Sequence, residues 1–153
     1  MPIFKAPYSI SKRDTHLKSI FLAGSIEQNT AHNWQELCEE ILTNSFNVFN
    51  PRREHWDPDL EQDVQEKEFN NQVSWEMDAM ETADIILMYF QPGTKSPISL
   101  LELGLHASSG KMIVVCPEGF WRKENVDFIC TRFNIPHYES MDEALSHIQE
   151  QMI

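Results

Sequence analysis

Glu102 is a carboxylate set among leucines. It lies in the stretch Lys95-Ser-Pro-Ile-Ser-Leu-Leu-Glu-Leu-Gly-Leu-His-Ala-Ser-Ser-Gly-Lys111, where Leu100, Leu101, Leu103, Leu105 and Ala107 run nearly all the way round a helix. An ionisable group crowded by apolar neighbours has a shifted proton affinity, the property that acids, bases and nucleophiles need. Two structural readings compete with a chemical one. Ser99-x-x-Glu102 matches a capping box, worth only about 1 kcal/mol, and a narrow polar strip would suit a salt-bridged glutamate. Ser96-Pro97 weakens the first, because a serine N-cap with proline after it already starts the helix and leaves Glu102 too deep to cap it. The flanking leucines weaken the second.

Other chemistry-bearing residues cluster in turns. Gly24-Ser25 follows a short apolar run, and Gln91-Pro-Gly-Thr-Lys-Ser96 leads into the Glu102 helix. Each reads first as a turn and second as a cradle for sugar or phosphate, since neither a G-x-G-x-x-G fingerprint nor a P-loop Gly-Lys-Ser/Thr is present. The six histidines are scattered without ligand spacing, and Cys38, Cys116 and Cys130 are odd in number and far apart. Neither a metal, a cofactor nor a disulfide framework is therefore expected, and reduced thiols point to a cytoplasmic setting.

The elements that must position these residues alternate. Ser19–Ala23, Phe46–Phe49, Asp84–Phe90, Met112–Cys116 and Pro136–Tyr138 are short apolar or edge runs that predict strands. Helical spacing falls over Ala31–Thr43, Phe69–Thr82, the Glu102 stretch, Lys123–Phe133 and Met141–Gln151. Strands of near-continuous apolar residues alternating with helices predict an α/β fold, a single doubly wound, five-stranded parallel sheet of flavodoxin-like or Rossmann-like layout. One domain over residues 1–153 is expected, with residues 1–17 as a polar lead-in. The charged, turn-rich residues 51–68 read as a long surface loop or lid with some helix. Ligands in such sheets bind beyond the carboxyl ends of the strands, where strand order reverses. That brings Gly24-Ser25, Asn50–Arg53, Gln91–Ser96 and Glu102 to one rim.

The formal net charge of −12 carries no basic run to offset it. Nucleic acid would be repelled, so no nucleic-acid partner is expected. No segment approaches the length and apolarity of a membrane span or a signal peptide, and no membrane partner is expected.

The segments "IFLAGSI" and "WEMDAMETADIILMYFQPGTKSPISLLELGLHASSGKMIVV" resemble the nucleoside 2-deoxyribosyltransferase family, which includes related hydrolases of deoxynucleoside 5′-monophosphates. The shared pattern is strand-Gly-Ser, a helix with an aspartate five or six residues before Ala-Asp and a strand, then Glu-Leu-Gly on a helix and Gly-Lys before a strand. The resemblance implies that Glu102 is the nucleophile, forming an ester with the deoxyribosyl carbon, and that Asp78 protonates the departing base. This is the logic of a retaining glycosidase, two carboxyls about 5 Å apart around an oxocarbenium-like transition state. By helical spacing alone Asp78 lies off the apolar stripe and reads as a solvated residue; Asp84 reads as a structural cap.

The resemblance further implies that Gly24 and Ser25 line the sugar or phosphate side and that Ser96 contacts sugar or a 5′-phosphate. Asn125 would contact the ligand of a neighbouring subunit, implying a homodimer or larger homo-oligomer. Arg52, Arg53, His55 and Trp56 would reach base or phosphate from the lid. Phe21 stands where the first strand of these enzymes commonly has a tyrosine, so its hydroxyl is missing here. The implied partners are a nucleoside or nucleotide and a free nucleobase, and the implied reaction is transfer of deoxyribose between bases. Hydrolysis of a deoxynucleoside monophosphate and a non-catalytic nucleotide sensor are the alternatives.

Overall fold

A computed structural model describes residues 3–26, 33–53 and 62–153, with side chains from residue 66 in the last of these. Six parallel strands form one sheet: β1 (Ile3–Lys5), β2 (Lys18–Gly24), β3 (Phe46–Asn50), β4 (Ile85–Tyr89), β5 (Met112–Val115) and β6 (His137–Tyr138), in the order β1-β3-β2-β4-β5-β6. Five α-helices connect or follow them: α1 (Trp34–Leu42), α2 (Gln62–Thr82), α3 (Pro97–His106), α4 (Lys123–Arg132) and α5 (Met141–Gln151).

Alternate residues of each central strand face opposite ways, and both faces must be covered. Phe21, Ala23, Ile86, Met88 and Val114 pack with Trp75, Ala79 and Met80 of α2, Leu103 of α3, and Val126 and Cys130 of α4. Their neighbours Ile20, Leu22, Ile85, Leu87, Ile113 and Val115 pack with Trp34, Cys38 and Leu42 of α1 and with Ala144, Leu145 and Ile148 of α5. The sheet is doubly wound, and two apolar layers hold it.

The strand count corrects the expectation of five. Within the supposed lead-in, Ile3–Lys5 pairs parallel with Val48–Asn50 as an added edge strand. Three residues are too few to show a period, and the partner is some 45 positions away, so nothing local marks the strand. Its contribution is visible in space: the Phe4 ring meets the Phe49 ring edge-on at 5.9 Å. The helical part expected within the lid-like stretch 51–68 begins at Gln62, where α2 starts and runs unbroken to Thr82; residues 54–61 lie outside the described residues. Polar residues such as Glu66, Lys67, Asn70 and Asn71 hid that first half; Trp56 and His55 lie outside the described residues.

Without β1 the order is that of a flavodoxin-like sheet, and the chain reverses direction across the sheet between β2 and β4. Here the two strands come unusually close at their carboxyl ends. Gly24 pairs with Tyr89 at φ +133°, and a Cβ on it would lie 2.1 Å from the Tyr89 carbonyl oxygen. Only glycine fits. Asp84 takes the structural role expected of it, its Oδ2 accepting from the Ser19 amide at 2.8 Å.

Candidate active site

A cavity of about 740 Å³ opens at this switch point. Its floor comes from Phe21, Ala23 and Gly24 of β2. One wall is α2, through Phe69, Gln72, Val73 and Glu76; the other is the start of α3, from Lys95 to Ser99, with Glu102 one turn deeper. Most of this lining is apolar, which suits a small ligand held away from water, with a few polar groups to orient it.

The two carboxyls dominate its electrostatics. Burial pushes the Glu102 carboxyl up to about 8, and the nearby Glu76 carboxylate pushes in the same direction. Glu76 is raised too, by burial first, but the Gln72 amide and the Arg53 charge pull it back. Two interacting carboxyls titrate as a pair. Of the two, Glu102 is the more strongly raised, by its burial and by the Glu76 charge. No hydrogen bond from the described residues ties down the Glu102 carboxyl.

Asp78, expected opposite Glu102, is exposed and does not line this cavity. Two residues along a helix turn a side chain by about 200°, so Glu76 and Asp78 face opposite ways. The sequence held a signal that would have found Glu76. Six residues separate Glu76 from Ala83-Asp84, whereas only four separate Asp78 from it. Glu76 thus keeps the spacing of five or six residues in the pattern that the resemblance rests on, with glutamate where the pattern has aspartate.

The other expected contacts divide. Phe21 and Gly24 line the cavity, and Phe21 packs on Trp75 with ring centroids 6.3 Å apart. Ser96 lines it as well, as the residue before α3, held at φ 47°. Its hydroxyl does not cap the helix. It lies 2.6 Å from Ser25 Oγ and 2.8 Å from Thr94 Oγ1, and Ser25 Oγ accepts from the Gln91 amide at 2.9 Å. This buried hydroxyl knot ties the turn after β2 to the loop after β4. Ser25 therefore stands behind the cavity wall, its side chain spent on the scaffold.

Arg52 is not among the lining residues; its Nη1 donates to Gln35 Oε1 at 3.2 Å. Arg53 turns toward α2, donating to Gln72 Oε1 at 2.6 Å and pairing with Glu68 at 2.7 Å. Asn125 lies on α4 beside a separate polar hollow of about 390 Å³, with Trp121, Lys123 and Asp127. Trp56 lies outside the described residues.

A doubly wound parallel sheet with a carboxyl pair in the cavity at its switch point defines a class of small-molecule site. The sequence model of the family described as "nucleoside 2-deoxyribosyltransferase like" matches residues 17–120, and the chain belongs to that family. The match takes in β2 through β5 and every residue lining the cavity. A search of curated proteins gave no match.

Proposed function

We propose that the protein cleaves the N-glycosidic bond of 2′-deoxynucleosides and passes the deoxyribosyl group to another base, with Glu102 as nucleophile and Glu76 as its acid–base partner. The observation that carries this reading is the pair itself: two half-buried carboxyls lining one largely apolar cavity, both with proton affinity raised by burial. One ionised and one protonated carboxyl is what a retaining displacement at an anomeric carbon requires.

The steps balance around that proton. Substrate entry moves it from Glu102 to Glu76. A Glu102 oxygen then bonds to C1′ as the C1′–N bond breaks, and the Glu76 proton goes to the base nitrogen. An incoming base attacks C1′, the ester bond breaks to restore the Glu102 carboxylate, and the proton of the new base returns to Glu76. The absent 2′-hydroxyl helps, since an electron-withdrawing group beside C1′ would oppose the developing positive charge. Phe21 offers no hydroxyl to orient Glu102, so its orientation falls to packing and to the electrostatic push from Glu76.

A second reading has its own support. Lys95, the Ser96 and Ser99 residues and the N-terminus of α3 meet at one wall, a combination that favours an anionic group such as a 5′-phosphate. Water in place of the second base would then give hydrolysis of a deoxynucleoside monophosphate. Incubation with deoxyinosine plus adenine tests the first reading through formation of deoxyadenosine. Free base released from deoxynucleoside monophosphates would favour the second, and tight nucleotide binding without base release would leave only a sensor.

The proposal extends to assembly. Ile98, Leu101 and Leu105 form an exposed stripe on α3, at 60%, 68% and 55% exposure, and the helix residues around them carry little charge. In a chain of net charge −12 this is a face two copies can bring together without repulsion, and a homodimer would cover it. Sedimentation of the wild type against Leu101→Glu checks it; a monomeric wild type would remove the idea.

A further inference from the structure

Gln72 lies one helical turn before Glu76 on α2, and its amide is fixed in direction by three partners. Arg53 Nε donates to Gln72 Oε1 at 2.6 Å. That leaves Nε2 to donate to the Pro51 carbonyl at 2.8 Å and to Glu76 Oε1 at 3.1 Å. Turning the amide over would set its NH2 against a guanidinium and its oxygen against two acceptors, so this orientation is imposed. Arg53 is itself anchored, its Nη1 lying 2.7 Å from Glu68 Oε2.

We propose that Gln72, locked by Arg53, is a positioning residue that keeps Glu76 Oε1 a hydrogen-bond acceptor, so that any proton Glu76 takes up is carried on Oε2. The chemistry is local. A carboxylic acid protonated on Oε1 would turn its hydroxyl oxygen toward an N–H donor and lose that bond; protonated on Oε2, it keeps the carbonyl oxygen toward Gln72. The same bond favours the ionised form of Glu76, and the Arg53 charge adds to it.

Among the described residues, the charged groups around Glu76 are Glu102 from α3, Arg53 from the segment after β3, Glu68 on α2 and Lys95 on the far wall; the β2 residues that line the cavity are uncharged. Against that background the amide and the Arg53 charge favour the ionised form of Glu76, while burial and the Glu76 charge favour the protonated form of Glu102. The catalytic consequence rests on the reading of these two residues as the reacting pair.

Glutamate carboxyl 13C resonances of the full chain test this directly, with Glu76 assigned by its loss in Glu76→Gln. In Gln72→Met, similar in size but without an amide, the Glu76 midpoint should rise by about one pH unit, the weight of one hydrogen bond to a charged group. Arg53→Met should move it the same way by less, and serves alone if Gln72→Met does not fold. An unmoved Glu76 midpoint in a folded variant overturns the proposal. In turnover, Gln72→Met should lower kcat about tenfold with KM within about twofold, and should carry the acid limb of the pH profile upward. A loss confined to KM would also overturn it. A wild type that releases no base defeats the glycosidic reading instead, while the titration still judges Gln72.

Discussion

Two hollows on this molecule handle charge in opposite ways. Beside α4, Lys123 reaches Asp127 at 3.1 Å and Glu139 at 2.7 Å, and its ammonium also donates to the Cys116 carbonyl at 2.7 Å. Those partners raise its proton affinity, so the ion is content as an ion. In the cavity between α2 and α3, two carboxyl groups face apolar walls, and Glu102 is raised because ionising it is costly. The first arrangement uses charge to join elements. The second raises a carboxyl's proton affinity inside a cavity, as the proposed reaction requires, and a fold accepts that cost only against other gains.

The sharpest way to break this contrast is to remove the carboxyls singly. Glu102→Gln should lower base exchange on the order of 10³-fold or more, since no nucleophile remains. Glu76→Gln should cost about 10²- to 10⁴-fold, the range of a lost general acid. Asp78→Asn should stay within about twofold on the surface-substitution expectation. Initial rates of deoxyadenosine formation rank all three, and a large loss at Asp78 with none at Glu76 would reverse the assignment.

A smaller effect lies in the pH profile. The active form of the pair has one proton, so kcat should fall above about pH 8 as the last proton leaves. It should fall again in acid once both carboxyls are protonated. Glu76→Gln leaves no acid proton to lose and removes the charge that raises Glu102, so the residual activity should keep only an acid limb, moved to lower pH.

Stability should follow the same proton. The folded Glu102 value of about 8 stands above the ordinary 4.5, so the folded chain keeps a proton that the unfolded chain has released. Its stabilising contribution is complete below about pH 4.5 and is lost as pH rises to about 8. Glu102→Gln should therefore melt a few degrees higher than the wild type at pH 8.5 and about the same at pH 4. The paired hollow gives the smallest signal. Lys123→Met should cost about 1 kcal/mol of stability by denaturant titration, with exchange rates unchanged.

The parts of this molecule that were legible in the sequence are those with a local signature. Apolar runs such as "DIILMYF" and "MIVVC" became β4 and β5, and Met141–Gln151 became α5 with Ser140 capping it as an N-cap serine should. Glu102 stood out because its neighbours contradict it. What escaped depends on distance or direction. Strand β1 exists only through its partner β3, and the first half of α2 has no apolar stripe. The resemblance assigns Asp78 and passes over Glu76, when only the turn of the helix separates a side chain in solvent from one in the cavity. Ser25 and Ser96 read as turn residues or as ligand contacts; both hydroxyls join the scaffold, and Ser96 also lines the cavity.

The N-terminal strand bears on how this protein is handled at the bench. The family match starts at residue 17, yet the Trp75 indole, next to Glu76, donates to the Tyr8 carbonyl at 2.7 Å, and Ala6 bonds back to Asn50 at 3.1 Å. A fragment trimmed to the shared core would bare the long side of β3 to other molecules and unfasten the helix that carries Glu76. Such a truncation should clump, and any weakness it showed would be misread as a property of the whole chain.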